Sequence, residues 1–172
     1  MSFFTEIQTE RLRLRKLKHT DWEAISYLRS DPDVNKFVKR ASADTQEKAL
    51  AFIEKIRQAT ETNSSLYWVI TKQGQNQMIG SICLWNFSQD RKKAEVGYDL
   101  HPLTQGKGIM NEALKAIINF GFNTLNLNRI EAYTQNNNTA SINLLKRNNF
   151  KLVIGKQDAD NLENAVYELK QP

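Results

Sequence analysis

The sequence predicts an α/β chain built on a mixed sheet, and three observations carry that prediction. Residues 10–17 (E-R-L-R-L-R-K-L) alternate charged and apolar side chains, the period of a half-buried strand. Other stretches place apolar residues three and four apart, the period of an amphipathic helix. The two patterns follow one another as β-α-α-β-β-β-α-β-α-β-β. Several neighbouring strands are separated by turns short enough for hairpins, whereas one pair is joined through a helix. The sheet must therefore hold both antiparallel and parallel pairs.

In chain order, the first strand puts Leu12 and Leu14 on one face and Arg11, Arg13 and Arg15 on the other. Those arginines read either as an anion-binding strip or as a solvated face. Thr20 with Glu23 has the spacing of a capping box, and Trp22, Ile25 and Leu28 follow at helical intervals until Asp31-Pro32. A second helix is expected from about Asp44, with Ala49, Leu50, Ile53 and Ile56 as its apolar stripe. Strands follow at residues 66–70, 78–87 and 93–100, with a turn at Gly74. The third strand puts Ala94, Val96, Tyr98 and Leu100 on one face and Glu95, Gly97 and Asp99 on the other. Gly97 there signals a bulge or a close backbone approach. A long helix is expected after Gly108, with Met110, Ala113, Leu114, Ile117 and Gly121 on one side. The remaining elements are a strand at 129–134, a short helix from Asn138 through Arg147, and strands at 150–154 and 165–169.

Composition bounds the chemistry. The chain has 172 residues, three prolines and seven glycines, with no linker-like stretch, so one domain spanning 1–172 is expected. The single cysteine, Cys83, excludes an internal disulfide and a cysteine metal cluster, and suits a reducing cytoplasm. Two histidines, His19 and His101, make a multi-histidine metal centre a poor fit, and no metal is expected. No apolar run approaches the length of a membrane span. Lys and Arg exceed Asp and Glu by 24 to 19, which favours anionic ligands without choosing among them.

The sharpest local feature is Gln105-Gly106-Lys107-Gly108-Ile109-Met110, between a strand and a helix. Glycines there let backbone approach a ligand, and a helix N-terminus presents unpaired N–H groups to an anion. Lys107 adds positive charge. The stretch reads as a pyrophosphate site or as a tight strand-to-helix turn. It matches neither the Walker loop nor G-x-G-x-x-G, since Asn111 stands where the last glycine would be.

Read together, Ala94-Glu95-Val96-Gly97-Tyr98, His101-Pro102, Gln105-Gly106-Lys107-Gly108 and Glu112-Ala113-Leu114 resemble the GNAT superfamily of N-acetyltransferases. Asn138-Thr139-Ala140-Ser141, Leu144-Leu145-Lys146-Arg147, Phe150 and the opening Thr9-Glu10-Arg11-Leu12-Arg13-Leu14-Arg15 extend the resemblance. It is nearest the branch of ribosomal-protein alanine and serine acetyltransferases. Gln105 and Gly108 fit the motif [Q/R]-x-x-G-x-[G/A], while Met110 departs from its last position.

The resemblance implies a twisted sheet of about six to seven strands, splayed in a V and flanked by four helices. Acetyl-CoA would lie in the V, with pantetheine pairing to backbone at Tyr98 and Leu100. The backbone of Gln105, Gly106, Lys107, Gly108, Ile109 and Met110 would hold the pyrophosphate. Asn138 would cap its helix and bond pantetheine, and Lys146 and Arg147 would face the 3′-phosphate. Glu95 is the candidate general base or water-positioning group, with Asp99 its rival. Ser141 is the candidate for stabilising the leaving thiolate, because Leu145 stands where many relatives carry a tyrosine. Glu95 reads equally as a structural ion pair, and Ser141 as a residue bonding local backbone. Asn149 replaces a common glycine and suits a left-handed turn.

The implied activity is transfer of acetyl from acetyl-CoA to a primary amine, either a protein N-terminus or a small molecule, by direct attack in a ternary complex. A non-catalytic acyl-CoA-binding module and a basic RNA- or ribosome-binding protein are the alternatives, nucleic acid being unproven. The chain would act as a monomer or homodimer. The first two helices and residues 155–163 are expected to line the acceptor side.

Overall fold

The computed structural model describes residues 1–172. Its strands are β1 (Ile7–Gln8), β2 (Leu12–Arg15), β3 (Ser65–Lys72), β4 (Gly80–Trp85), β5 (Lys93–Leu100), β6 (Arg129–Gln135), β7 (Lys151–Leu152) and β8 (Asn164–Lys170). Its helices are α1 (Trp22–Ser30), α2 (Gln46–Glu61), α3 (Ile109–Asn123) and α4 (Thr139–Arg147). The strands form one eight-stranded sheet in the order β1-β2-β3-β4-β5-β6-β8-β7. Every pair is antiparallel except β5 with β6, which the crossover through α3 joins in parallel. The sheet has one strand more than the upper expectation because β1, at two residues, is too short to show a period.

Side-chain alternation sends two apolar sets to opposite faces. Leu66, Trp68 and Ile70 of β3 join Leu12, Leu14, Ile82, Leu84, Ala94 and Val96 in a core under α3 and α4. Tyr67 and Val69 point the other way and pack with Ile25, Leu28, Ala49 and Ile53 of α1 and α2. β3 is therefore buried on both faces, and its apolar run carries no alternation. Gly80 starts β4 where a Cβ would meet the Asp99 carbonyl oxygen at 2.5 Å, so only glycine fits.

The arginines of the first strand do not form a strip. Arg11 pairs with Glu112 and Arg13 with Glu6. Arg15 is buried, with its guanidinium on both oxygens of Asp21 at 2.8 and 2.9 Å and on the Asn76 carbonyl. Its Nε has no partner. Stripping either member of such a pair strands a buried charge at about 3–5 kcal/mol. Asp21 also takes the helix-entry role expected of Thr20: it accepts the Lys18 amide at 2.8 Å, and His19–Asp21 form a 3-10 turn before α1. Thr45, not Asp44, caps α2, accepting the Lys48 amide at 3.1 Å.

β5 has its expected bounds, and Gly97 pairs regularly with Cys83, so there is no bulge. The alternative holds: a Cβ at Gly97 would lie 3.3 Å from Cys83 Sγ. Asn149 takes a φ of 65°, as its place in the turn after α4 suggested. The last hairpin is shorter than expected, since β7 keeps only two residues.

Candidate active site

The decisive feature of the sheet is where pairing stops. β5 and β6 are in register only for Lys93, Ala94 and Glu95 against Arg129, Ile130 and Glu131. Beyond Glu95 the strands part, and β6 stays paired along its length to β8. The result is a V with its apex at Glu95 and Glu131. His101 donates its amide to Ile79 at 2.8 Å, which fixes the alternation of the β4–β5 ladder. Asp99, Gly97 and Glu95 then bond across to β4, so the backbone groups of Tyr98 and Leu100 face the V. The Leu100 carbonyl takes the Gln105 side-chain amide at 3.1 Å.

At the open end of the V, Gly106 and Gly108 both lie in the left-handed region, with φ of 72° and 75°. That alternation curls the backbone so that successive N–H groups converge. The amides of Gly106, Lys107 and Gly108 make no hydrogen bond within the chain, and α3 begins at Ile109. Its first amides lack intrahelical partners. The loop is held from behind. Glu112 accepts Thr9 Oγ1 at 2.6 Å, the Arg11 amide at 2.8 Å and Arg11 Nε at 2.6 Å, and Arg11 Nη1 donates to the Lys107 carbonyl at 2.9 Å. Burial works to raise the Glu112 pKa, but the bonds from Thr9 and Arg11 hold it below the usual range. Such an arrangement of unpaired amides suits an anion, and a Cβ at Gly106 would meet nothing within 4 Å. Ile109 is the buried residue of the first turn, and Met110 packs only partly against the core.

The two faces of β5 carry different chemistry. On the α3–α4 face, Tyr98 extends under α4, and its hydroxyl lies 2.6 Å from Ser141 Oγ. Ser141 is held in the first turn of α4, where its amide donates to Asn138 Oδ1 at 3.2 Å. Asn138 caps the helix as expected. Burial pushes the Tyr98 phenol up to about 12, against the pull of the Ser141 hydrogen bond. Leu145 is fully buried core. A buried phenol thus meets Ser141 from β5 rather than from α4. The only sequence signal for it was a tyrosine on an otherwise aliphatic face, whose hydroxyl must find a partner when buried.

On the opposite face Glu95 stands at the apex. Burial raises its pKa to about 7, opposed by the Asn86 amide at 3.3 Å and reinforced by Asp158 and Glu131. Asp99 is fully engaged, with Ser81 Oγ at 2.6 Å and Arg40 Nη1 at 3.0 Å. Glu131, also at the apex, is buried and ringed by Lys93, Lys156 and Arg129. A cavity of about 910 Å³ runs through the V from this face to Asn138 and Ser141 on the other, within the size range of small-molecule sites. Arg29, Phe37, Phe52 and Lys55 form its α1–α2 side, and residues 157–161 close the other.

Cys83 lines this cavity and packs partly against the α1–α2 core, as a neutral thiol that burial pushes up to about 12. Trp85 also forms its wall, and Trp68 is core. His101 stacks on Tyr27 and accepts the Leu103 amide, so it is structural. Lys107 is exposed and folds its ammonium onto the Leu103 carbonyl at 3.2 Å. Lys146 and Arg147 are exposed at the end of α4, and Arg147 shares a groove with Lys115 and Asn119 of α3.

A domain model described as an acetyltransferase (GNAT) domain matches residues 11–151. The chain belongs to the GNAT acetyltransferase family. It is 35% identical over 146 residues to p20 of Bacillus licheniformis, described as an uncharacterized N-acetyltransferase, covering 84% of this chain and 82% of p20. A GNAT-family acetyltransferase structure from Bacillus anthracis superposes with a TM-score of 0.82 at 26% identity, covering 96% of this chain and 98% of that one. RimL, a ribosomal L7/L12 α-N-protein acetyltransferase solved with coenzyme A, shares the fold with a TM-score of 0.81 at 19% identity, covering 96% and 98%. The protein is an acetyl-CoA-dependent acetyltransferase of this GNAT family. No group of side chains suited to a metal ion is present, and no helix is long and apolar enough to cross a membrane.

Proposed function

We propose that residues 1–172 act as one N-acetyltransferase domain, in the cytoplasm, that moves acetyl from acetyl-CoA to a primary amine by direct attack. The observation that carries this reading is the parted pair β5–β6, which sets Glu95 on one face of a single cleft and Ser141 on the other. Pantetheine runs along the unpaired edge of β5 at Tyr98 and Leu100, whose carbonyl also accepts Gln105 Nε2, beside Asn138. The amides of residues 106–110 take the pyrophosphate; the Gln105 amide, expected among them, is instead spent on the Pro102 carbonyl at 3.2 Å. The thioester then sits near the apex, between the two faces.

The amine enters from the cavity as an ammonium. Glu95 takes its proton, directly or through water, and a carboxylate poised near neutrality suits that task. The nitrogen lone pair forms the new N–C bond, the tetrahedral intermediate collapses by breaking the C–S bond, and the second excess proton on nitrogen passes to the departing sulfur, giving the amide and the CoA thiol. The sulfur leaves on the α4 side, where the Ser141 hydroxyl donates to it. Asp99 is a weaker base candidate because both its oxygens already have partners. The acceptor is a protein N-terminus or a small-molecule amine.

The test is coenzyme A release, followed by thiol titration, across a panel of amine classes. Wild type is expected to release thiol in step with acetylated amine, and Ser141→Ala to lower kcat by about 10-fold or more with little change in KM. Acetyl-CoA binding without thiol release for any amine would instead identify an acyl-CoA-binding module.

A further inference from the structure

The acceptor cavity is electrically two-ended. Glu95 and Asp158 stand on the apex side, where an ammonium would enter. At the α1–α2 end stand two guanidiniums, Arg29 and Arg40, of which only Arg40 pairs with the carboxylate there, Asp99. Arg40 is fully committed: Nη1 goes to Asp99, Nε to Asn35 Oδ1 at 2.7 Å and Nη2 to the Leu28 carbonyl at 2.8 Å. Arg29 is not. It has no ion pair, and only one of its N–H groups has a partner, the Ala41 carbonyl at 3.3 Å. Its guanidinium carbon lies over Phe52, 4.1 Å from the ring centroid, which holds the stem while the donors stay open. Lys55, one turn along α2 from Phe52, also lines the cavity without an acidic partner.

A half-buried guanidinium with unused donors is a costly thing to hold without a counter-charge. Burial and the neighbouring Arg40 both depress the Arg29 pKa, which is the same shortage seen from the proton's side. The planar fork matches a carboxylate or phosphate, and Phe52 holds it in place for that.

The geometry points to Arg29, supported by Lys55, as an anion-binding subsite for the acceptor, so that the preferred substrate is a primary amine carrying a carboxylate or phosphate group. This rests on the acetyl-transfer reading above and adds to it the class of acceptor. The spacing follows from the strand. Arg40 and Asp99 mark the subsite, and Asp99 is four residues from Glu95 along β5. At strand rise the anion lies on the order of 10 Å from the Glu95 carboxylate, so amine and anion are separated by several bonds.

The test compares matched pairs of acceptors in the thiol-release assay. One arm pairs ω-amino carboxylates with their carboxamides, the other aminoalkyl phosphates with the amino alcohols, with spacers of about two to six carbons. Wild type is expected to prefer the anionic member of one arm by about 10- to 100-fold in kcat/KM. Arg29→Gln is expected to bring that ratio to near one, Arg29→Lys to retain part of it, and Lys55→Gln to reduce it less. Carboxylate or phosphate is told apart by which arm shows the preference. Equal use of both members by wild type, or a ratio unchanged in Arg29→Gln, overturns the subsite. No release with any amine overturns the transfer reading itself, which is a different failure.

Discussion

Replacing Glu95 by Gln is expected to lower kcat/KM for the amine by about 10²- to 10⁴-fold, the usual contribution of a positioned general base. The substitution keeps the size of the side chain and its reach to Asn86, and removes only the basic oxygen. The pH profile adds a second readout. With the carboxyl raised to about 7, the active ionised form grows in through neutrality, so the wild-type rate rises across that range until the amine's own titration takes over. In Glu95→Gln the limb near 7 should vanish. Stability moves the opposite way. A carboxyl whose pKa is raised on folding binds its proton more tightly in the folded state, so between its ordinary value and about 7 the wild type loses stability as pH rises. Glu95→Gln escapes that loss and should melt higher than wild type at pH 8, by a margin that narrows towards pH 5. A variant with unchanged turnover, or an unchanged pH profile, would reassign Glu95 to a structural role.

Gly106→Asp is expected to raise the KM for acetyl-CoA by about 10²-fold or more and to abolish the thermal stabilisation that acetyl-CoA gives the wild type. The choice isolates the cradle from the fold. Aspartate is among the few residues that tolerate a left-handed backbone, and a Cβ at this position meets nothing within 4 Å. The melting temperature without ligand should therefore move little, while a negative charge now sits among the amides proposed to hold pyrophosphate. Normal acetyl-CoA affinity in a folded Gly106→Asp protein would remove the loop from the binding site.

The elements that a sequence shows best are those governed by one strong local rule. β5 and α4 have the bounds that periodicity and the Asn138 cap predict, because alternation and an N-cap oxygen are short-range physics. Periodicity places Glu95 on a strand face and Ser141 in a first helical turn, but only the resemblance to the GNAT family singles them out as candidates. The rest depends on long-range contact. Arg15 reads as one more charge on an exposed face until Asp21 arrives from the next element to bury it. Tyr98 reads as a backbone contact until α4 brings Ser141 against its hydroxyl, 43 residues away in the chain. Asp99 and Arg40, 59 residues apart, are likewise a pair that only folding makes. The parting of β5 from β6, on which the site rests, is a property of two strands whose separation no local pattern encodes.

Direct attack by the amine is the central claim, and initial-rate kinetics test it most directly. With the fastest amine of the panel, acetyl-CoA and acceptor are varied together. Double-reciprocal lines that intersect, with no acetyl adduct on the protein by intact mass when acceptor is withheld, are the predicted result. Parallel lines together with an acetylated protein, Cys83 being the one thiol available, would show that the acetyl group passes through the enzyme and would contradict the account.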